Sequence, residues 1–121
     1  MARFIVLLSF ALLVGCAAQP PGPEIFESAE RAIAAAEQAG AEELSPVELR
    51  FARERLQLAR TAVENRKYDA ALFAIEQSEI NSELAIEQSR TARERRRLNE
   101  LRRSNEELQQ ELTGIYGEDF E

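Results

Sequence analysis

The sequence predicts an all-α fold: a three-helix, repeat-like bundle whose long C-terminal helix projects onward as a candidate short coiled coil. Three observations carry that expectation. From Val47 to Thr113 there are 67 residues without a single Gly or Pro, and the stretch is rich in Ala, Leu, Glu, Arg and Gln, the good helix formers. β-branched residues are scattered and never alternate as a strand requires. Apolar residues instead recur at spacings of 3 and 4, which is one face of a helix.

The N-terminal segment reads as an address. Met1-Ala2-Arg3 is a short basic start, and Phe4 to Val14 is an uncharged run of eleven residues. A spanning helix takes about 20 apolar residues, so the run fits the apolar part of a signal peptide over residues 1–15. It ends in Leu13-Val14-Gly15-Cys16, which resembles the lipobox of bacterial lipoproteins. That resemblance implies cleavage before Cys16 and lipid attachment at its thiol and freed amine. The mature chain would then hold the membrane through its acyl groups. Ala17 stands where an Asp would retain an enteric lipoprotein at the inner membrane, so the expected location is the outer membrane, facing the periplasm. Residues 16–23 form the lipidated Cys and a tether, because Pro20, Pro21, Gly22 and Pro23 favour extended backbone.

A helical bundle is expected over residues 24–90. Its first helix runs from about Glu24 to Ala39, with Phe26, Ala29, Ile33 and Ala36 as the seam and Gly40 as the stop. Ser45-Pro46-Val47-Glu48 reads as a capping box with Pro in the first helical position. The second helix follows it with a seam of Leu49, Ala52, Leu56, Ala59 and Val63. Asn65 to Asp69 reads as a tight turn, with Asn65 as the candidate left-handed residue and Asp69 as a cap; an unbroken helix through it is the alternative. The third helix would run from about Tyr68 to Leu112. Its seam is of small residues (Ala71, Ile75, Ser78, Ser82, Ala85, Ser89, Ala92), and Leu72, Phe73, Ile80 and Leu84 beside it suggest a wide face packed on two neighbours.

The segments from Ala35 to Leu49 ("AGAEELSPVEL") and from Tyr68 onward ("YDAALFAIEQSE") resemble domain of unknown function 4398, over roughly Glu27 to Arg90. That family occurs in short bacterial lipoproteins and, in others, beside OmpA-like domains. The resemblance implies fold and location more than role. The chain shows no OmpA-like segment, so peptidoglycan binding is not expected to carry over. Asn65-Arg66-Lys67 also departs from a pattern that often has Gly before the Tyr. Tyr68 to Ile75 further resembles the second-helix start of a tetratricopeptide repeat, although one such unit is not an array.

Composition removes whole classes of function. The 121 residues include 22 acidic and 15 basic side chains, no His and one Cys, for a net charge of −7. Without His, and with one thiol, zinc frameworks, disulfides, Ser-His-Asp and Cys-His catalysis are not available. Carboxylate pairs such as Glu42-Glu43 show no sign of the burial that catalysis demands. The expectation is therefore no enzyme activity, no cofactor, no metal and no small-molecule substrate. The acidic balance and the export signal both argue against nucleic acid.

What remains is a basic helical extension over residues 91–113 and a flexible acidic tail over 114–121. Seven of the chain's fourteen Arg fall between Arg90 and Arg103, a window of net +5. Leu98, Leu101, Asn105, Leu108, Leu112 and Ile115 form a heptad seam with Asn105 at an a position, where Asn often fixes register. In a parallel homodimer Arg97 would face Arg102, which is repulsive. The candidate partner-binding residues are Arg93, Arg96, Arg97, Leu98, Leu101, Arg102, Asn105, Leu108 and Leu112. A solvated helix laced with weak i,i+3 and i,i+4 pairs accounts for the same Arg residues and is the commoner arrangement. The leading functional expectation is a non-enzymatic adaptor or scaffold for an envelope protein. Self-association as a structural lipoprotein, and binding of lipopolysaccharide or glycan through the Arg cluster, are the alternatives.

Overall fold

The computed structural model describes residues 21–117. The lipobox residues Leu13, Val14 and Gly15, with Cys16, lie outside the described residues. The chain enters through a 3-10 turn at Pro23–Phe26 and continues as α1 (Glu27–Gln38), a one-turn α2 (Ala41–Leu44), α3 (Pro46–Glu64) and α4 (Tyr68–Tyr116). The fold is all-α, with three long helices and a C-terminal helix of 49 residues. α3 runs antiparallel to α4, and α1 runs parallel to α4 in the groove between them.

The seams pack as their spacing requires. Ala29 and Ala36 of α1, Leu49, Ala52, Leu56 and Ala59 of α3, and Ala71, Ile75, Ser78, Ser82, Ala85 and Ser89 of α4 are all buried. They form two clusters, one around Leu56, Ala74 and Ile75 and one around Leu49, Ala36, Ala41 and Ala85. Side chains this small let the backbones come close. The Ser78 hydroxyl shows how close, since it donates across the interface to the Ala52 carbonyl at 2.8 Å. Ser82 and Ser89 donate back within α4 to Ser78 O and Ala85 O, so each buried hydroxyl is satisfied.

Several expectations are corrected. The first helix divides, because Pro23 opens a separate 3-10 turn before α1 begins. Gly40 is left-handed as expected, at φ 78°, but the chain makes one more turn, α2, before α3. Ser45 does not cap the α3 backbone; its hydroxyl sits 2.9 Å from both Glu48 Oε2 and Gln88 Oε1 and shares its one proton between them. At the next turn the left-handed residue is Arg66, at φ 58°, and not Asn65. Lys67 N–H bonds Ala62 O and Arg66 N–H bonds Val63 O, which is a Schellman closure with Arg66 at its left-handed position. Asn65 instead turns its amide onto Thr61 O at 2.8 Å. Lys67, rather than Asp69, is the N-cap residue of α4.

Two corrections concern α4 itself. Leu72, Phe73, Ile80 and Leu84 are exposed and not packed on a second neighbour, because α1 and α3 both sit on the small-residue face. The helix also runs past Leu112 through Gly114, Ile115 and Tyr116, so the first part of the expected tail is helical. Residues 118–121 lie outside the described residues.

Candidate functional site

α4 is longer than anything that covers it. The α1–α2 corner reaches its midpoint, and from Arg93 to Gly117 every residue is exposed. Two of the expected contact residues are spent at that corner. Arg93 Nη2 donates to the Ala39 carbonyl at 2.6 Å, satisfying a last-turn acceptor of α1 with a cation placed where the helix dipole favours one. A Cβ added at Gly40 would lie 3.3 Å from that same Nη2. Arg96 Nη1 donates to Glu43 Oε1 of α2 at 2.8 Å. Arg93 and Arg96 thus tie α4 to the bundle while their side chains stay exposed.

The corner has a second set of ties. Arg53 of α3 donates to Glu37 of α1 and, at 2.9 Å, to Glu42 of α2, and the Glu37 carboxylate, followed by that of Glu42, holds its guanidinium pKa above the ordinary value. Gln88 of α4 donates to Glu48 Oε1 at 3.0 Å. The Ser45 hydroxyl, more than any other group, keeps the Glu48 carboxyl below its usual range. These exposed pairs are each weak, about 0–1 kcal/mol, and they converge on the end of the bundle from which α4 projects.

The remaining predicted residues come together on the projecting part. Leu98, Leu101, Leu108 and Leu112 are each between 52 and 54% exposed, and Ile115 is 59% exposed. Leu98, Asn105 and Leu112 take the a positions of a heptad, Leu101 and Leu108 the d positions, with Arg97 and Arg102 as flanks. At 1.5 Å per residue the stretch from Arg97 to Tyr116 is about 30 Å long. An isolated helix of this size is marginal in water, and an apolar stripe along it adds to the cost. The arrangement leaves a stripe of Leu uncovered by the described helices.

Sequence reasoning missed one part of this surface. Phe73, Ile80 and Leu84 point away from α1 and α3, in the same heptad register as Leu98 and Leu101. The signal was the shared heptad frame, in which Leu84 stands two heptads before Leu98 and Ile80 three before Leu101, with Thr91, Glu94 and Glu87 at the positions between. Among the described residues, no group of three or more His, Cys, Asp or Glu is placed to hold a metal. No described helix is long and apolar enough to cross a membrane. A groove between the 3-10 turn and the end of α3 is open and lined by Pro23, Phe26 and Val63 together with Glu24, Glu27, Glu30, Arg60 and Glu64.

A search of curated proteins and a search of solved structures returned no match. The family model described as a domain of unknown function, DUF4398, matches residues 25–101. That span takes in the bundle and about the first two and a half turns of the projecting part of α4, which is well over half the chain. The chain belongs to the DUF4398 family.

Proposed function

We propose that this protein is a non-enzymatic helical adaptor, lipidated at Cys16 and held at the outer membrane facing the periplasm. The α3–α4 pair serves as a repeat-like hairpin that α1 closes, and the end of α4 docks an envelope protein. One observation carries the reading: the Leu98–Ile115 stripe stands clear of the bundle, apolar, in register and uncovered by any of the described helices. Arg97 and Arg102 beside it favour a partner helix with acidic flanks. The use of Arg93 and Arg96 inside the chain leaves less of the Arg cluster for an anionic glycan, which favours a protein partner over lipopolysaccharide.

The test is site-specific photo-crosslinking in intact cells, with the probe placed in turn at Leu101, Leu108 and Leu112. A discrete band containing another envelope protein is expected. Leu101→Ala with Leu108→Ala should erase it, while bundle stability shifts by no more than about 0.5 kcal/mol, as for exposed sites generally. Empty lanes at all three positions, or a band that survives the double substitution, would sink the adaptor.

A further inference from the structure

A second set of exposed apolar residues lies on α4 beside the bundle, separated from the Leu98 stripe by Glu87, Thr91 and Glu94 at the intervening a and d positions. Phe73, Ile80 and Leu84 are 62, 48 and 45% exposed, against 52 and 54% for Leu98 and Leu101. One heptad frame holds all five, with Leu84 and Leu98 at a and Phe73, Ile80 and Leu101 at d. The whole run lies inside the family-matched residues 25–101. Its flank changes sign along the helix. The g positions are Asp69, Glu76 and Glu83 in the first half, then Arg90 and Arg97. Among the described residues, Glu76, Glu83 and Arg97 have no ion-pair partner within the chain.

A helix with an acidic half and a basic half on one seam complements itself only when reversed. In a parallel pair Arg90 would meet Arg95, and Arg97 would meet Arg102, of the other copy. In an antiparallel pair g positions meet g positions. With Phe73 set opposite Leu98, Glu76 meets Arg97 and Glu83 meets Arg90, and the two-fold axis repeats both pairs. Arg90 already touches Glu87 of its own helix at 2.7 Å, so Glu83 of the second copy would approach a guanidinium held near the seam. The same alignment sets Ile80 against Thr91 and Leu101 against Ala70. Its central layers set Glu87 against Leu84 and Glu94 against Gln77, which lowers affinity.

We propose that the outward face of α4, from about Phe73 to Leu101, pairs antiparallel with the same face of a second copy of this chain. The pair covers Leu98, Leu101 and Arg97, which the adaptor reading also uses, and leaves Leu108, Leu112 and Ile115 overhanging at each end. The two occupancies compete at Leu101, so a crosslink there to a second copy reads the dimer, and the crosslinks at Leu108 and Leu112 read the adaptor.

The test uses the full chain carrying Cys16→Ser in mild detergent, so that no native thiol interferes. Phe73→Cys together with Leu98→Cys should give a covalent dimer on oxidation, while either substitution alone should not. The two positions stand about 37 Å apart on one helix, so the bond cannot form within a chain. In sedimentation, Glu76→Arg with Glu83→Arg should weaken the dimer roughly tenfold or more, and adding Arg90→Glu with Arg97→Glu should restore it. Three results would each overturn the proposal. They are a monomer at the highest soluble concentration, single-thiol variants that crosslink as readily as the double variant (the parallel pair), and a charge reversal that the compensating reversal does not rescue.

Discussion

Arg66 occupies a backbone conformation that glycine would hold without strain. Its φ of 58° places Cβ against the following carbonyl, at a cost of roughly 1–2 kcal/mol for an L residue. The Schellman bonds from Lys67 and Arg66 to α3 offset that cost by satisfying carbonyls that would otherwise face no partner. Arg66→Gly should therefore raise stability by about 1 kcal/mol, measured as a shift in the urea midpoint with an unchanged slope. A lowered midpoint would mean that the arginine side chain contributes more than its backbone costs. Ser45 makes a second prediction at this scale. Its hydroxyl depresses the Glu48 carboxyl below the ordinary 4.5, so the stability this contributes is present above about that pH and is lost as pH falls through the folded value. Ser45→Ala should destabilise more at pH 7 than at pH 3, and a difference that is constant with pH would refute the linkage.

At the scale of elements, the α3–α4 interface is built on the absence of bulk. Ser78, Ser82 and Ser89 are fully buried, and the Ser78 hydroxyl spans to Ala52 O at 2.8 Å. Ser78→Leu has nowhere to place its side chain and should cost about 1–3 kcal/mol as overpacking. Ser78→Ala removes one hydrogen bond from an otherwise unchanged contact and should cost about 1 kcal/mol. Thermal melts followed by circular dichroism separate the two, and equal losses would show that the helices are not closely apposed. The seams of all three helices were legible in the sequence because spacing at 3 and 4 determines which residues share a face. Gly40 and Pro46 were legible because backbone geometry singles them out. What spacing cannot state is how many neighbours a helix has. Leu72, Phe73, Ile80 and Leu84 read as a second buried stripe, and only the placement of α1 and α3 on one side of α4 leaves them in solvent. The left-handed residue was misplaced by one position for a related reason: Asn65 has the better propensity, but its amide is occupied by Thr61 O.

The whole molecule divides into a part that is covered and a part that is not. The site residues were half legible for that reason. The Leu stripe from Leu98 to Leu112 is periodic within itself, so the sequence alone displays it. Arg93 and Arg96 belong to the same basic cluster, yet their partners, Ala39 O at the end of α1 and Glu43 on the unpredicted α2, lie more than fifty positions away. No local pattern distinguishes an arginine that fastens a helix from one that meets a partner. The bundle end of α4 begins beside the 3-10 turn, where Arg60 lies over the Phe26 ring at 5.7 Å and binds Glu30. The chain thus enters the fold at one end of α4, and Tyr116 marks the other.

That layout gives α4 an uncovered arm rooted at the α1–α2 corner. From Arg93 to Tyr116 the arm spans about 36 Å at 1.5 Å per residue, so a bend of about 5° at its root carries the tip through about 3 Å. The ties from Arg93 to Ala39 O and from Arg96 to Glu43 brace that root. Loosening either would widen the region the tip sweeps while leaving the buried seam of the bundle in place.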